Sequence, residues 1–184
     1  MPTPRQCGDC QLCCRLLPVR PLDKGANETC KFQKFHKGCT VHHTRAMPPE
    51  CGLWNCRWLI NDDAADLSRP DRAHLVIDLM PDFIRAVPND GGPAQNVEVV
   101  QIWIDPKYPD AHRDPALRAW IFRRAQDGIA ALIRFDARRA LTLIAPPLHA
   151  DGAWVEIEGQ SREQTHSLAE IAKALGGRAS IVID

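Results

Sequence analysis

With 184 residues, 45% of them hydrophobic, the chain can bury one good core or a small module attached to a medium one. Lys and Arg balance Asp and Glu at 23 each, so no global field steers it to nucleic acid or to an anionic membrane. No stretch approaches the roughly 20 apolar residues of a membrane span, and Met1 to Cys7 carries no apolar run of signal-peptide type, so a cytoplasmic protein is expected.

The first predicted element is Cys7-Gly8-Asp9-Cys10-Gln11-Leu12-Cys13-Cys14, with Arg15-Leu16-Leu17-Pro18 directly after it. A helix beginning near Cys7 would bring its four sulfurs within an arc of roughly 120°. A core seldom spends four thiols on one stripe while Leu and Val are available. The other cysteines follow soon after: Cys30, Gly38-Cys39-Thr40-Val41-His42-His43, and Cys51-Gly52-Leu53-Trp54-Asn55-Cys56. All 8 therefore fall in the N-terminal third. In a reducing compartment such clustering points to metal binding or redox chemistry rather than to structural disulfides.

Between Cys7 and Ile60 the apolar pattern is weak and is broken by Pro18, Pro21, Gly25, Gly38, Pro48 and Pro49. Such a segment buries too little hydrocarbon to fold on that basis alone. A bound metal would supply the missing free energy. Arg45 to Cys51 reads as a turn into a short helix that presents Cys51, with Trp54, Trp58, Leu59 and Ile60 packing as the lid or base of the module.

The polar run Asn61 to Pro70 is expected to be a hinge near residue 68, dividing a cysteine-rich module, 1–68, from a body, 69–184. In the body, alternation over His74 to Met80 predicts a strand, Pro81-Asp82 a turn, Phe83 to Val87 a second strand, and Val97 to Ile104 a third, all antiparallel. Asp114-Pro115 starts a helix with Leu117, Trp120, Ile121 and Ala125 on its buried stripe and Gly128 just past its end. Ile129 to Phe135 and Leu141 to Ile144 then read as a hairpin, and Trp154 to Glu158 as a further strand. Ser161 with Gln164 caps a final helix over Leu168, Ile171, Ala172 and Leu175, and Ala179 to Val182 would close the sheet. The fold class is α+β: a cysteine-rich metal-binding module with short helices, then a mostly antiparallel sheet with two helices.

Cys7-x-x-Cys10-x-x-Cys13-Cys14, followed by Gly38-Cys39-x-x-His42, Arg45 and Cys51-x4-Cys56-x-Trp58-Leu59, resembles the YkgJ-type family of zinc- or iron-chelating proteins, which is known for its CxxCxxCC motif. The resemblance is firm over residues 5 to 60 and loose over the body. It implies metal chelation through the cysteines. Relatives with a similar motif include flagellin lysine methylases, so it also admits an enzymatic role.

The candidate ligands are Cys7, Cys10, Cys13, Cys14, Cys30, Cys39, His42, Cys51 and Cys56. Soft thiolates select zinc, copper(I) or an iron-sulfur cluster over magnesium or calcium. A structural zinc takes four ligands, so either two centres form or some thiols are spectators. One division gives Cys7 to Cys14 partners from Cys51 and Cys56, leaving Cys30, Cys39 and His42 for a second site. The body has no Gly-rich phosphate loop, nucleophile elbow or HExxH, and no catalytic residue is assigned. The expected function is a metal-binding protein for zinc or iron that organises protein interactions or handles metal. The alternative is an iron-sulfur oxidoreductase or methylase-like modifying enzyme, with Asp62, Asp63 or Asp78 lining a pocket. His74, His112, His149 and His166 read as dispersed surface or supporting residues. A basic stretch of Arg113, Arg118, Arg123, Arg124, Arg134, Arg138 and Arg139 offers phosphate contacts, but the neutral overall charge argues for a solvated face.

Overall fold

A computed structural model of the chain describes residues 5–35, 37–42, 44–86, 92–149 and 151–160. The fold is α+β, built on a five-stranded, mostly antiparallel sheet. Strand β3 (Leu75–Ala86) runs antiparallel to β4 (Gln95–Ile104), and helix α5 (Pro115–Gln126) then carries the chain to β5 (Ala130–Arg134), parallel to β4. Strands β6 (Arg139–Ile144) and β7 (Val155–Gln160) follow as an antiparallel meander, giving the order β3-β4-β5-β6-β7. The N-terminal segment adds a second, two-stranded sheet of β1 (Gln33–Lys34) and β2 (Gly38–Cys39), with short helices α1 (Leu12–Leu16), α2 (Pro49–Leu53), α3 (Arg57–Ile60) and α4 (Pro70–Ala73).

Helix α5 forms where its signals stand. The Asp114 carboxylate caps it by accepting from the Leu117 N–H at 3.0 Å, Pro115 opens it, and Gly128 takes φ +83° after its end. The two body strands expected to flank a turn at Pro81-Asp82 are instead one strand, β3, whose register shifts between Ile77 and Pro81. The proline has no N–H to give the ladder, and it is accommodated at a bulge in a strand that, among the described residues, has a partner on one side only. Three antiparallel strands thereby become two. The final helix and closing strand expected after Ser161 lie outside the described residues, so α5 is the one long helix among those described.

Alternation along β3 and β4 gives the sheet two buried faces. Ile77, Ile102, Ile104, Ile133, Leu141 and Leu143 pack with Leu117, Trp120 and Ile121 of α5. The neighbouring residues Val76 and Trp103, paired across β3 and β4, point the other way and pack with Leu12, Leu16 and Cys56. The cysteine-rich segment is therefore a layer on the second face. Burial of Leu12 and Leu16 contributes about 1.5–3 kcal/mol each to that attachment.

The polar run expected as a hinge is pinned. Ala64 and Leu67 enter the main core, Asp63 pairs with Arg57 at 3.2 Å and Arg124 at 3.1 Å, and the Trp120 indole donates to the Asp63 carbonyl at 2.9 Å. Small and apolar residues inside an acidic run supplied the anchor that its overall polarity concealed. Ile60, expected in the module's packing, is 49% exposed.

Candidate metal centre

The four-thiol run is not one helix. Cys7 to Cys10 form a turn closed by the Cys10 N–H donating to the Cys7 carbonyl at 2.9 Å, with Gly8 at φ +56°, and α1 begins only at Leu12. Gly8 takes the left-handed conformation that a side chain resists, which ends any helix there. The 120° arc is accordingly replaced by two local frames, a turn for Cys7 and Cys10 and a helix for Cys13 and Cys14. Leu12 and Leu16, one helical turn apart, fix the rotation of α1 on the sheet.

The other thiols are brought to this frame by named contacts. Gln33 donates to the Gln11 side chain at 2.6 Å, so the β1–β2 hairpin with Cys39 sits against the start of α1. Gly38, at φ +78°, faces the Gly8 carbonyl. Asn27 donates to the Phe135 carbonyl at 2.9 Å, holding the loop before Cys30 to the body. Cys51 is presented by α2, as expected, and Cys56 is buried just before α3, where it packs with Cys10 and Cys13 around Leu12 and Leu16. Trp54 and Trp58 also pack there, and the Trp58 indole donates to the Leu67 carbonyl at 2.9 Å.

All eight thiols are free, and they are linked as electrostatic neighbours. Cys56 feels Cys7, Cys10 and Cys13; Cys51 feels Cys14, Cys30 and Cys39. Cys13 donates a hydrogen bond to Cys14, which joins the two sets. That bond, with help from the Lys24 ammonium and against the effect of burial, lowers the Cys14 thiol to about 7 and holds Cys13 protonated, its own value pushed well up. Burial, then the neighbouring thiols, pushes Cys51 up to about 11; burial likewise takes Cys56 to about 11. Cys7 and Cys10 are raised chiefly by desolvation.

Two cations that sequence reasoning missed stand beside these thiols. Lys24 is buried, donates to the carbonyls of Arg15, Leu17 and Gly25, and lies in the field of Cys30 and Cys14. Arg69 reaches the Cys7 carbonyl, pairs with Asp9 at 2.8 Å and Asp71 at 2.7 Å, and acts on Cys7 and Cys10. Neither has a local sequence signal, because each acquires its role only when separate segments meet.

The donor chemistry fits a soft metal, being reduced thiols with buried or ion-paired cations beside them. Among the described residues, no three His, Cys, Asp or Glu side chains are drawn close enough together to hold an ion. His42 is exposed on the turn after Cys39, and His43 lies outside the described residues. The remaining histidines are not uniformly superficial. His112 is buried and bonded to the Pro109 carbonyl, and His74, at φ +58°, stacks on Tyr108 with ring centroids 3.5 Å apart. His166 is outside the described residues.

The carboxylates suggested for a pocket have other engagements. Asp78 is buried and accepts from the Trp54 indole and the Met80 N–H, Asp63 is ion-paired, and Asp62 is exposed and paired with Arg5. The arginine stretch is dispersed by the fold: Arg118 pairs with Glu156, Arg123 with Asp66, Arg124 with Asp63, and Arg134 is buried beside Gln101 and Asp82. Among the described residues no helix is long and apolar enough to cross a membrane. No family model matches the chain, and neither a curated protein nor a solved structure matches it significantly.

Proposed function

We propose that the chain is a metal-binding protein that holds zinc or iron, the latter as an iron-sulfur cluster, through its N-terminal thiolates. The metal-organised layer then serves as a surface for a protein partner or as a metal-handling site in the cytoplasm. One observation carries the reading: thiols from a turn, two helices, a loop and a hairpin are all electrostatic neighbours, and none is spent in a disulfide. A layer with so little other core gains folding free energy from thiolate ligation. The motif resemblance to the YkgJ-type chelating family points the same way. Cysteines bind, Lys24 and Arg69 offset the thiolate charge, and the Leu12–Leu16–Val76–Trp103 cluster excludes water from the inner side.

The test is elemental analysis with a visible spectrum on protein purified without oxygen. Stoichiometric zinc, or iron with acid-labile sulfide and a broad brown absorption, is the expected result. Protein that carries no metal, takes none up when reduced, and melts identically with and without chelator overturns the reading.

A further inference from the structure

We propose that the cleft between α4, the loop after β4 and the start of α5 is a binding site for a small planar aromatic anion, of which a nucleoside monophosphate is the simplest kind. The proposal stands on this cleft alone and is independent of the metal-binding reading above.

The cleft has a volume of about 640 Å³, within the range of small-ligand sites. Its floor is apolar, for Leu67, Leu75 and Leu117 of the main core contribute to its lining. One wall is aromatic: the His74 imidazole lies on the Tyr108 phenol, with ring centroids 3.5 Å apart and planes 8° from parallel. Tyr108 nevertheless stays 47% exposed and lines the cleft, so its ring has surface left for a second planar group. A ring bound there extends a stack that already exists.

The wall is built before any ligand arrives. His74, the residue that ends α4, takes φ +58°, a conformation uncommon outside glycine. Its carbonyl accepts from the Asp105 N–H at 2.9 Å. The Asp105 carbonyl accepts from the Tyr108 N–H at 2.8 Å, and its buried carboxylate accepts from the Lys107 N–H at 3.1 Å and from Arg15. One buried residue thus fixes His74, Lys107 and Tyr108 relative to one another. Such preorganisation lowers the ordering cost of binding.

The rim supplies the charge. Asp114 is engaged in capping α5, and Asp110 lies 3.7 Å from Arg113. Arg72 and Lys107, also on the lining, make no ion pair among the described residues. A bare anion would leave the apolar floor and the Tyr108 ring unused, and a neutral ring would leave both cations unused. The combination selects a ligand that carries a ring and a negative charge together.

Tyr108 is the chain's one tyrosine, so fluorotyrosine incorporation places a single fluorine reporter in the cleft. The full chain is titrated with adenosine monophosphate, adenosine and inorganic phosphate while that resonance is followed, and calorimetry gives the affinities. The monophosphate should shift the signal saturably, with adenosine and phosphate each weaker by about tenfold or more. Tyr108→Leu should weaken the monophosphate about tenfold, the loss of one stacked ring. Lys107→Gln should weaken it several-fold and reduce its salt dependence while leaving adenosine unchanged. Both positions are exposed, and circular dichroism checks that each variant is folded. The site is overturned if the monophosphate gives no saturable shift in the millimolar range. It is also overturned if phosphate binds as tightly and Tyr108→Leu has no effect, which would leave only a cationic patch. A single-stranded oligonucleotide that binds far more tightly than the monophosphate would overturn the small-ligand assignment in favour of a nucleic-acid surface. None of these results bears on metal binding, which elemental analysis tests separately.

Discussion

The indole Nε1 of Trp54 donates a 2.7 Å hydrogen bond to the Asp78 carboxylate. This bond joins the segment between Cys51 and Cys56 to β3, and Asp78 also accepts from the Met80 N–H next to the bulge. One buried carboxylate thus bonds both the segment between the last two cysteines and the backbone beside the bulge.

Replacing Trp54 by Phe keeps most of the packing but removes the donor from a buried charged acceptor. A loss of about 1.5–3 kcal/mol is expected. Urea unfolding at pH 7 gives the change, and amide exchange should show extra opening between residues 49 and 60. An unchanged midpoint would mean that the bond contributes nothing to the attachment of the layer.

Where local chemistry determined the structure, the sequence was sufficient to read it. Asp114-Pro115 and Gly128 bound α5, and its buried residues are the four expected: Leu117, Trp120, Ile121 and Ala125. Pro81 misled because a proline reads as a break, whereas a register shift in a strand that, among the described residues, is paired on one side makes it tolerable within β3. Gly8 misled in the opposite sense. Its φ of +56° stops a helix that the cysteine spacing invited. The α+β class was legible from alternation and helix signals, but the attachment of the cysteine-rich layer was not, since it depends on Leu12 and Leu16 meeting Val76 and Trp103 across the chain.

Acid should weaken the β5–β6–β7 end of the sheet. The Arg139 and Arg138 N–H groups hold the Asp136 carboxyl below its usual range, and the hydrogen bond from Arg118 does the same for Glu156. With folded values below unfolded ones, this stabilisation is fully present above the ordinary carboxylate range, about pH 4–4.5, and is lost as the pH falls through the folded values. Glu156→Gln should therefore melt below wild type at pH 7, and the gap should narrow as the pH falls through the folded value. A gap independent of pH would assign the effect to packing.

The Cys13–Cys14 hydrogen bond predicts an inversion of reactivity in the metal-free chain. Cys51 is the more exposed thiol, but its value near 11 leaves almost no thiolate at neutral pH, whereas the bond from Cys13 lowers Cys14 below the ordinary thiol range and gives it the larger thiolate fraction. Iodoacetamide at pH 7, followed by peptide mass mapping, should label Cys14 at least about tenfold faster than Cys51. Cys13→Ala should slow Cys14 by removing its donor. Labelling in order of exposure would contradict the bond.

Lys24 allows the cap and the charge-offsetting role to be separated. Its ammonium donates to the carbonyls of Arg15 and Leu17 at the end of α1 and to Gly25, and it is almost wholly buried. Burial lowers its affinity for a proton, and the field of Cys30, Cys14 and Glu28 works against that loss. Lys24→Met keeps the aliphatic stem and removes the charge, so orphaned carbonyls should lower stability by about 1.5–3 kcal/mol. If the ammonium also offsets thiolates, cobalt affinity of the reduced chain should fall about tenfold. A pure cap would lower the melting temperature and leave cobalt affinity unaltered. Lys24→Arg is the informative companion: it restores positive charge without reproducing the compact ammonium's bonds, and recovery of affinity without recovery of stability would assign the effect on the metal site to charge.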